Sequence, residues 1–206
     1  MLGNHGRKIT DFIFKPIVNI LFVKKINPNY VTFFGSILAW LIAIIFFPLG
    51  LAWQGCILLG IVLFSDSIDG QLARKMGVNS SYGAVLDSVL DRITDGIVFS
   101  SIAIYCVYYM SGWIRVLCLV STLIVMIMGF TISYVRARGA DFKVEPKVGL
   151  AERTDRLIVS LVSLGFTDIN LGDWIFPTFQ TLLAVACIFT VCQRMQYIRK
   201  ELQKFE

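Results

Sequence analysis

Residues 66–91 read DSIDGQLARKMGVNSSYGAVLDSVLD. Four aspartates stand in this stretch, Asp66, Asp69, Asp87 and Asp91, with Gly70, Ala73, Arg74 and Gly83 between them. As a pattern it is D-x-x-D-G-x-x-A-R-x8-G-x-x-x-D-x-x-x-D. Asp66 and Asp69 are three apart and Asp87 and Asp91 four apart, so each pair falls on one face of a helix. Apolar segments flank the stretch on both sides, and carboxylates beside lipid are costly unless a positive charge compensates them. Four held together would either protonate or require a cation. Two acidic helix faces turned toward each other make an oxygen-rich pocket for divalent ions.

The chain around this stretch reads as a membrane protein. Its 206 residues suffice for one domain, and 56% are hydrophobic against 16% charged. A mean hydropathy of +0.73 is too apolar for a soluble domain of this length. The net charge is +5, and the 19 Lys and Arg gather near the ends of the apolar segments, which suits lipid headgroups; no nucleic-acid partner is expected. Five of the 14 acidic residues fall between Asp66 and Asp95. Cys56, Cys106, Cys118, Cys187 and Cys192 show no C-x-x-C spacing and read as small buried hydrophobes. His5 is the single histidine and sits near the start, so a histidine ligand or base is not expected. Arg7, Lys8, Asp11 and Lys15 interrupt the first residues, and no cleavable leader is expected.

The fold expected is all-α, six transmembrane helices preceded by an N-terminal amphipathic helix in the membrane interface. Residues 7–25 carry Phe12, Ile13, Ile17, Ile20, Leu21 and Val23 rimmed by basic residues, a composition drawn to anionic lipid. The first span runs from Tyr30 to Leu49 without a charge, enough at ~1.5 Å per residue to cross a ~30 Å core. Pro48 and Gly50 mark a turn. The second span begins near Leu51 and continues through Asp66 to Arg74 and Lys75; the third runs from Tyr82 to Tyr109; the fourth from Trp113 to about Arg138. The fifth opens at Glu152 to Arg156 and continues to Phe166, and the sixth spans Trp174 to Gln193 before a basic tail. As one domain, this divides into an interfacial helix at 1–27, a six-helix bundle at 28–198 and a cytoplasmic tail at 199–206. Nearly all Lys and Arg then fall on one side, with Arg115 the exception, which puts both termini and the aspartates at the cytoplasmic face of the cell membrane.

Two metal ions about 4 Å apart among these aspartates would clamp a diphosphate and stabilise charge on a leaving phosphate. Glycines at 70 and 83 let backbone approach a ligand, and Arg74 offers a forked contact to a phosphate oxygen. One carboxylate must stay able to take a proton from an attacking hydroxyl, and Asp91, last of the set, is the candidate. The plainer alternative is that the acids pair with Arg74 and Arg92. For Asp95, pairing with Arg92 three residues away is the favoured explanation.

The stretch at 66–91 matches the signature of the CDP-alcohol phosphotransferase family at every defined position, and Asn29 and Thr32 in NPNYVTFFG resemble that family's entry to the first span. The resemblance extends over nearly the whole chain. It implies a six-helix enzyme, usually a homodimer, that moves a phosphatidyl group from a CDP-linked lipid to an alcohol and releases CMP. It implies that Asp66, Asp69 and Asp87 bind metal, that Asp91 binds metal and acts as base, and that Asn29, Thr32, Gly70, Arg74 and Gly83 hold the CDP-lipid. Two magnesium or manganese ions are the expected cofactors.

Three further stretches resemble the prokaryotic phosphatidylinositol-phosphate synthases of that family: SYVRAR at 133–138, GLAERTDRL at 149–157 and CQR at 192–194. They imply that Arg136, Arg153 and Arg194 bind the acceptor's phosphate. A doubly charged monoester warrants three arginines where free inositol would not. Two departures stand out: Arg136 takes the place of a common Lys, and GADF follows Arg138 where a Glu is expected. The substrates implied are CDP-diacylglycerol and inositol 1-phosphate. Glycerol 3-phosphate as acceptor and an ether-lipid donor are alternatives within the family. A cation transporter is the alternative outside it, but it leaves Gly70, Ala73, Arg74 and Gly83 without a role and places acids at one face instead of the midplane.

Overall fold

The computed structural model describes residues 14–65, 67–77, 81–146 and 148–204. Asp66 and the first part of the expected interfacial helix lie outside the described residues. Eight helices follow one another, and no strand occurs among the described residues: α1 Phe14–Val23, α2 Pro28–Phe46, α3 Ala52–Ser65, α4 Ser67–Met76, α5 Ser81–Tyr109, α6 Gly112–Asp141, α7 Arg153–Asp168 and α8 Ile175–Leu202. Among the described residues, four stretches are long and apolar enough to cross a membrane: Pro28–Phe46, Ala52–Met76, Gly112–Asp141 and Ile175–Leu202. Leu41, Ile44, Val116, Val120, Ile127, Leu182, Val185 and Phe189 all present exposed apolar side chains. So many on single helix faces suit lipid rather than water.

Several boundaries differ from those expected. The first span ends at Phe46, because the turn after it begins earlier. There the Leu51 N–H reaches Phe46 O at 2.9 Å and the Gly50 N–H reaches Phe47 O at 3.0 Å, with Gly50 at φ 74°. This is the paired bonding that closes a helix through a left-handed residue. A Cβ at Gly50 would also lie 2.6 Å from the Tyr109 ring. The expected basic tail is largely helical, since α8 continues through Arg194, Arg199 and Lys200 to Leu202.

The chain divides into two compact units, residues 1–45 with 57–98 and residues 46–56 with 99–206. In the first, Asn27 caps α2, its Oδ1 accepting the Asn29 N–H at 3.0 Å, and Pro28 occupies the first helical position, where a missing N–H costs nothing. Val18 of α1 packs with Ile68 and Leu72 of α4, and Phe14, Leu21, Val31 and Met76 surround them. Lys75 donates to Asn19 Oδ1 and lies 4.7 Å from the Phe22 ring centroid. Farther along α2, Trp40 Nε1 donates to Thr94 Oγ1 at 2.9 Å, tying α2 to α5.

In the second unit α8 packs on α6 and α7. Buried polar side chains join the three: Ser160 Oγ donates to Gln180 Oε1 at 2.8 Å, and Gln180 Nε2 to Thr122 Oγ1 at 3.3 Å. Such bonds hold helices together where apolar packing gives no preference over lipid. Glu152 opens α7 in a capping box with Asp155, whose carboxylate accepts the Glu152 N–H at 3.2 Å. At the far end of α7, Asp168 accepts the Tyr105 hydroxyl at 2.5 Å and the Trp53 N–H at 2.9 Å. Four of the cysteines are buried, Cys192 is exposed, and all five are free thiols.

Candidate active site

The first unit contains a cavity of about 650 Å³ whose wall is built from three helices. The start of α2 supplies Asn27, Pro28, Asn29 and Thr32; α4 supplies Asp69, Gly70 and Ala73; the start of α5 supplies Tyr82, Gly83, Ala84 and Asp87. The division of labour along α4 follows from its periodicity. Ile68 and Leu72, four apart, are buried in the core, so Asp69 and Ala73 share the neighbouring face and meet the cavity. Arg74 and Lys75 at the C-terminal turn also complement the helix dipole.

Asp69 is held at both oxygens. Its Oδ2 accepts the Thr32 hydroxyl at 2.5 Å and its Oδ1 accepts the Gly70 N–H at 2.5 Å. Asp87 lines the same cavity. Asp91 lies one turn farther along α5, half-buried, with Arg92 Nη2 3.8 Å from its Oδ2. Asp95 is only 2% exposed and pairs with Arg92 Nη1 at 3.6 Å, the arrangement its spacing predicted. Arg74 is exposed, and its Nη1 lies 3.5 Å from where a Gly70 Cβ would stand.

The structure thus brings Asn29, Thr32, Asp69, Gly70, Gly83 and Asp87 together. Asn27, Pro28, Ala73, Tyr82 and Ala84 join them on the wall without having been singled out as site residues. Among the described residues no three His, Cys, Asp or Glu side chains converge on one point. The chemistry of the donors present nevertheless fits a hard divalent ion. Asp69 and Asp87 offer oxygen alone.

The arginines expected to meet the acceptor belong to the second unit. Arg136 is exposed near the end of α6, and Arg153 is the first residue of α7 and partly buried. Arg194 is 6% exposed; its Nε donates to Val148 O at 2.9 Å and its Nη1 to Ile132 O at 3.0 Å. The charges of Arg136, Glu152 and Arg156 reach it. Arg156 is 1% exposed and donates to Ala151 O at 3.1 Å.

A family model described as CDP-alcohol phosphatidyltransferase matches residues 25–199. The chain belongs to the CDP-alcohol phosphatidyltransferase family. It is accordingly a transferase of phospholipid synthesis. The chain is 38% identical to the phosphatidylinositol phosphate synthase of Cutibacterium acnes, over 91% of this chain and 93% of that one. It is 35% identical to the synthase of the same name from Streptomyces avermitilis, over 98% and 84%. Among solved structures, phosphatidylinositol phosphate synthase of Mycobacterium tuberculosis with CDP-DAG bound superposes with a TM-score of 0.84 at 31% identity, covering 90% of this chain and 93% of that one. The same enzyme in complex with manganese and citrate gives a TM-score of 0.83, also at 31% identity, covering 89% and 87%.

Proposed function

We propose that this transferase moves the phosphatidyl group of CDP-diacylglycerol to inositol 1-phosphate, giving phosphatidylinositol phosphate and CMP. The observation that carries the reading is the cavity on which Asp69, Gly70, Ala73, Gly83 and Asp87 of one signature stand together. The relatives named as phosphatidylinositol phosphate synthases, similar over nearly the full length, support the acceptor.

Asp66, Asp69, Asp87 and Asp91 would hold two divalent ions, magnesium or manganese, whose charge offsets that of the diphosphate when bound. Asn29, Gly70, Arg74 and Gly83 form the CDP-lipid subsite, and Thr32 stands beside them on the cavity wall. There the glycines admit the ligand close to backbone, and Arg74 neutralises a phosphate oxygen. Asp91 takes the proton from the inositol hydroxyl. The freed oxygen bonds to the phosphorus that carries diacylglycerol, and the bond from that phosphorus to the CMP oxygen breaks. CMP leaves with the electron pair. Arg136, Arg153 and Arg194 are assigned to the acceptor's phosphate; Arg194 already directs two of its donors at backbone carbonyls. Catalysis of this kind is mostly positioning and charge neutralisation.

The chain forms a single catalytic domain with six spans. The third is α5, whose 29 residues reach ~43 Å, and the fifth is α7, whose 16 residues reach ~24 Å. Helix α1 lies in the interface, its exposed Ile17, Ile20 and Val23 toward acyl chains. Both termini and the cavity face the cytoplasm across the cell membrane, and the enzyme is a homodimer.

The test is an assay of purified enzyme with CDP-diacylglycerol and, in turn, inositol 1-phosphate, inositol, glycerol 3-phosphate and serine. CMP release with inositol 1-phosphate alone is the expected outcome. Incorporation of glycerol 3-phosphate in its place would overturn the acceptor. Ion flux without CMP release would overturn the reaction class.

A further inference from the structure

We infer that Thr32 is a positioning residue for the metal site, acting through Asp69 rather than on the nucleotide lipid. The inference rests on the reading of Asp69 as a metal ligand. A threonine hydroxyl has one proton to donate. Two acceptors stand near it, Pro28 O at 3.2 Å and Asp69 Oδ2 at 2.5 Å. The nearer is a carboxylate, and a donor to a charged oxygen makes the shorter and stronger bond. The proton therefore belongs to Asp69. Thr32 is 8% exposed, so water does not compete strongly for it.

With Thr32 on Oδ2 and Gly70 N–H on Oδ1, the Asp69 carboxylate plane is fixed from two sides. The support itself is rigid. Thr32 is β-branched on a helix, which restricts its χ1, and α2 is tied at a second point by Trp40 to Thr94 of α5. A carboxylate oriented in this way meets an ion without first losing rotamer freedom, as outer-shell partners do at metal sites generally. A contact to the lipid diphosphate would need a second proton that the hydroxyl lacks.

The test is manganese binding by the purified full chain without CDP-lipid, read as free ion by electron paramagnetic resonance. Thr32→Val keeps the shape and removes the hydroxyl; it should weaken binding about tenfold or more. Thr32→Ser keeps the hydroxyl and should stay within about threefold of wild type. In an Asp69→Asn background the valine substitution should add nothing, because the two act as one unit. Wild-type affinity in Thr32→Val would overturn the inference and return Thr32 to direct contact with the lipid. Absence of manganese binding in the wild type would instead overturn the metal reading of the aspartates. If Thr32→Val does not yield folded protein, Thr32→Ala takes its place with the same expectation. Failure of both to fold overturns the inference too, since the hydrogen bond would then serve the fold.

Discussion

In the first unit Asp69 and Asp87 stand on the wall of a cavity of about 650 Å³. In the second, Arg156 and Arg194 are buried to 1% and 6% exposure and aim their donors at backbone carbonyls. Both regions carry charge into an apolar fold, but they compensate it differently. The acids line a cavity that something can enter. The arginines satisfy carbonyls of the chain itself, and the 148–152 segment is fastened as a result. Thr190 helps: its Oγ1 accepts the N–H groups of Leu150 and Ala151, each at 3.2 Å. Gly149, at φ 136°, leaves room for Thr190 Cγ2, which would be 2.4 Å from a Cβ there. A charge written in a signature can thus serve a ligand or the scaffold, and burial with carbonyl partners separates the two.

Substitutions can break this contrast or sharpen it. The largest effect is expected for Asp91→Asn, which should lower turnover at least ~100-fold by removing the proton acceptor. Manganese-dependent binding of CDP-lipid should persist in part. Turnover near wild type would strip Asp91 of its role as base. Next is Arg194→Ala. It leaves two backbone acceptors without their donor at ~1–3 kcal/mol each, and Tm should fall by roughly 4–24 °C at ~2–4 °C per kcal/mol. An unchanged Tm with a raised acceptor KM would leave Arg194 serving the ligand alone. Arg153→Ala should raise the KM for inositol 1-phosphate about tenfold or more while the KM for CDP-lipid stays within about twofold. Equal changes in both would mark Arg153 as scaffold. Least of all, Cys192→Ser, at an exposed thiol, should alter stability by no more than about 0.5 kcal/mol and leave turnover alone.

The acid cavity was legible in the sequence because its logic is local. Asp69, Gly70 and Ala73 share a face by spacing alone, and so do Gly83 and Asp87. The Asp95–Arg92 pair is equally local. The carbonyl partners of Arg156 and Arg194 were not legible. Arg194 meets a carbonyl 46 residues back and another 62 back, partners that only a folded chain supplies. Gly129 carried no signal either, although a Cβ there would stand 3.0 Å from Arg156 Nε. Helix ends were read within a few residues where a glycine closed them, as at Gly50. They were missed at α8, where basic residues do not stop a helix and the chain continues to Leu202.

The grip of α1 on α4 has a practical consequence. Ile68 and Leu72 stay dry because Val18 covers them. Whatever dislodges the amino-terminal segment, a shortened expression clone or a bulky fusion partner, also loosens the rod that carries Asp69. Affinity tags therefore belong at the carboxyl end.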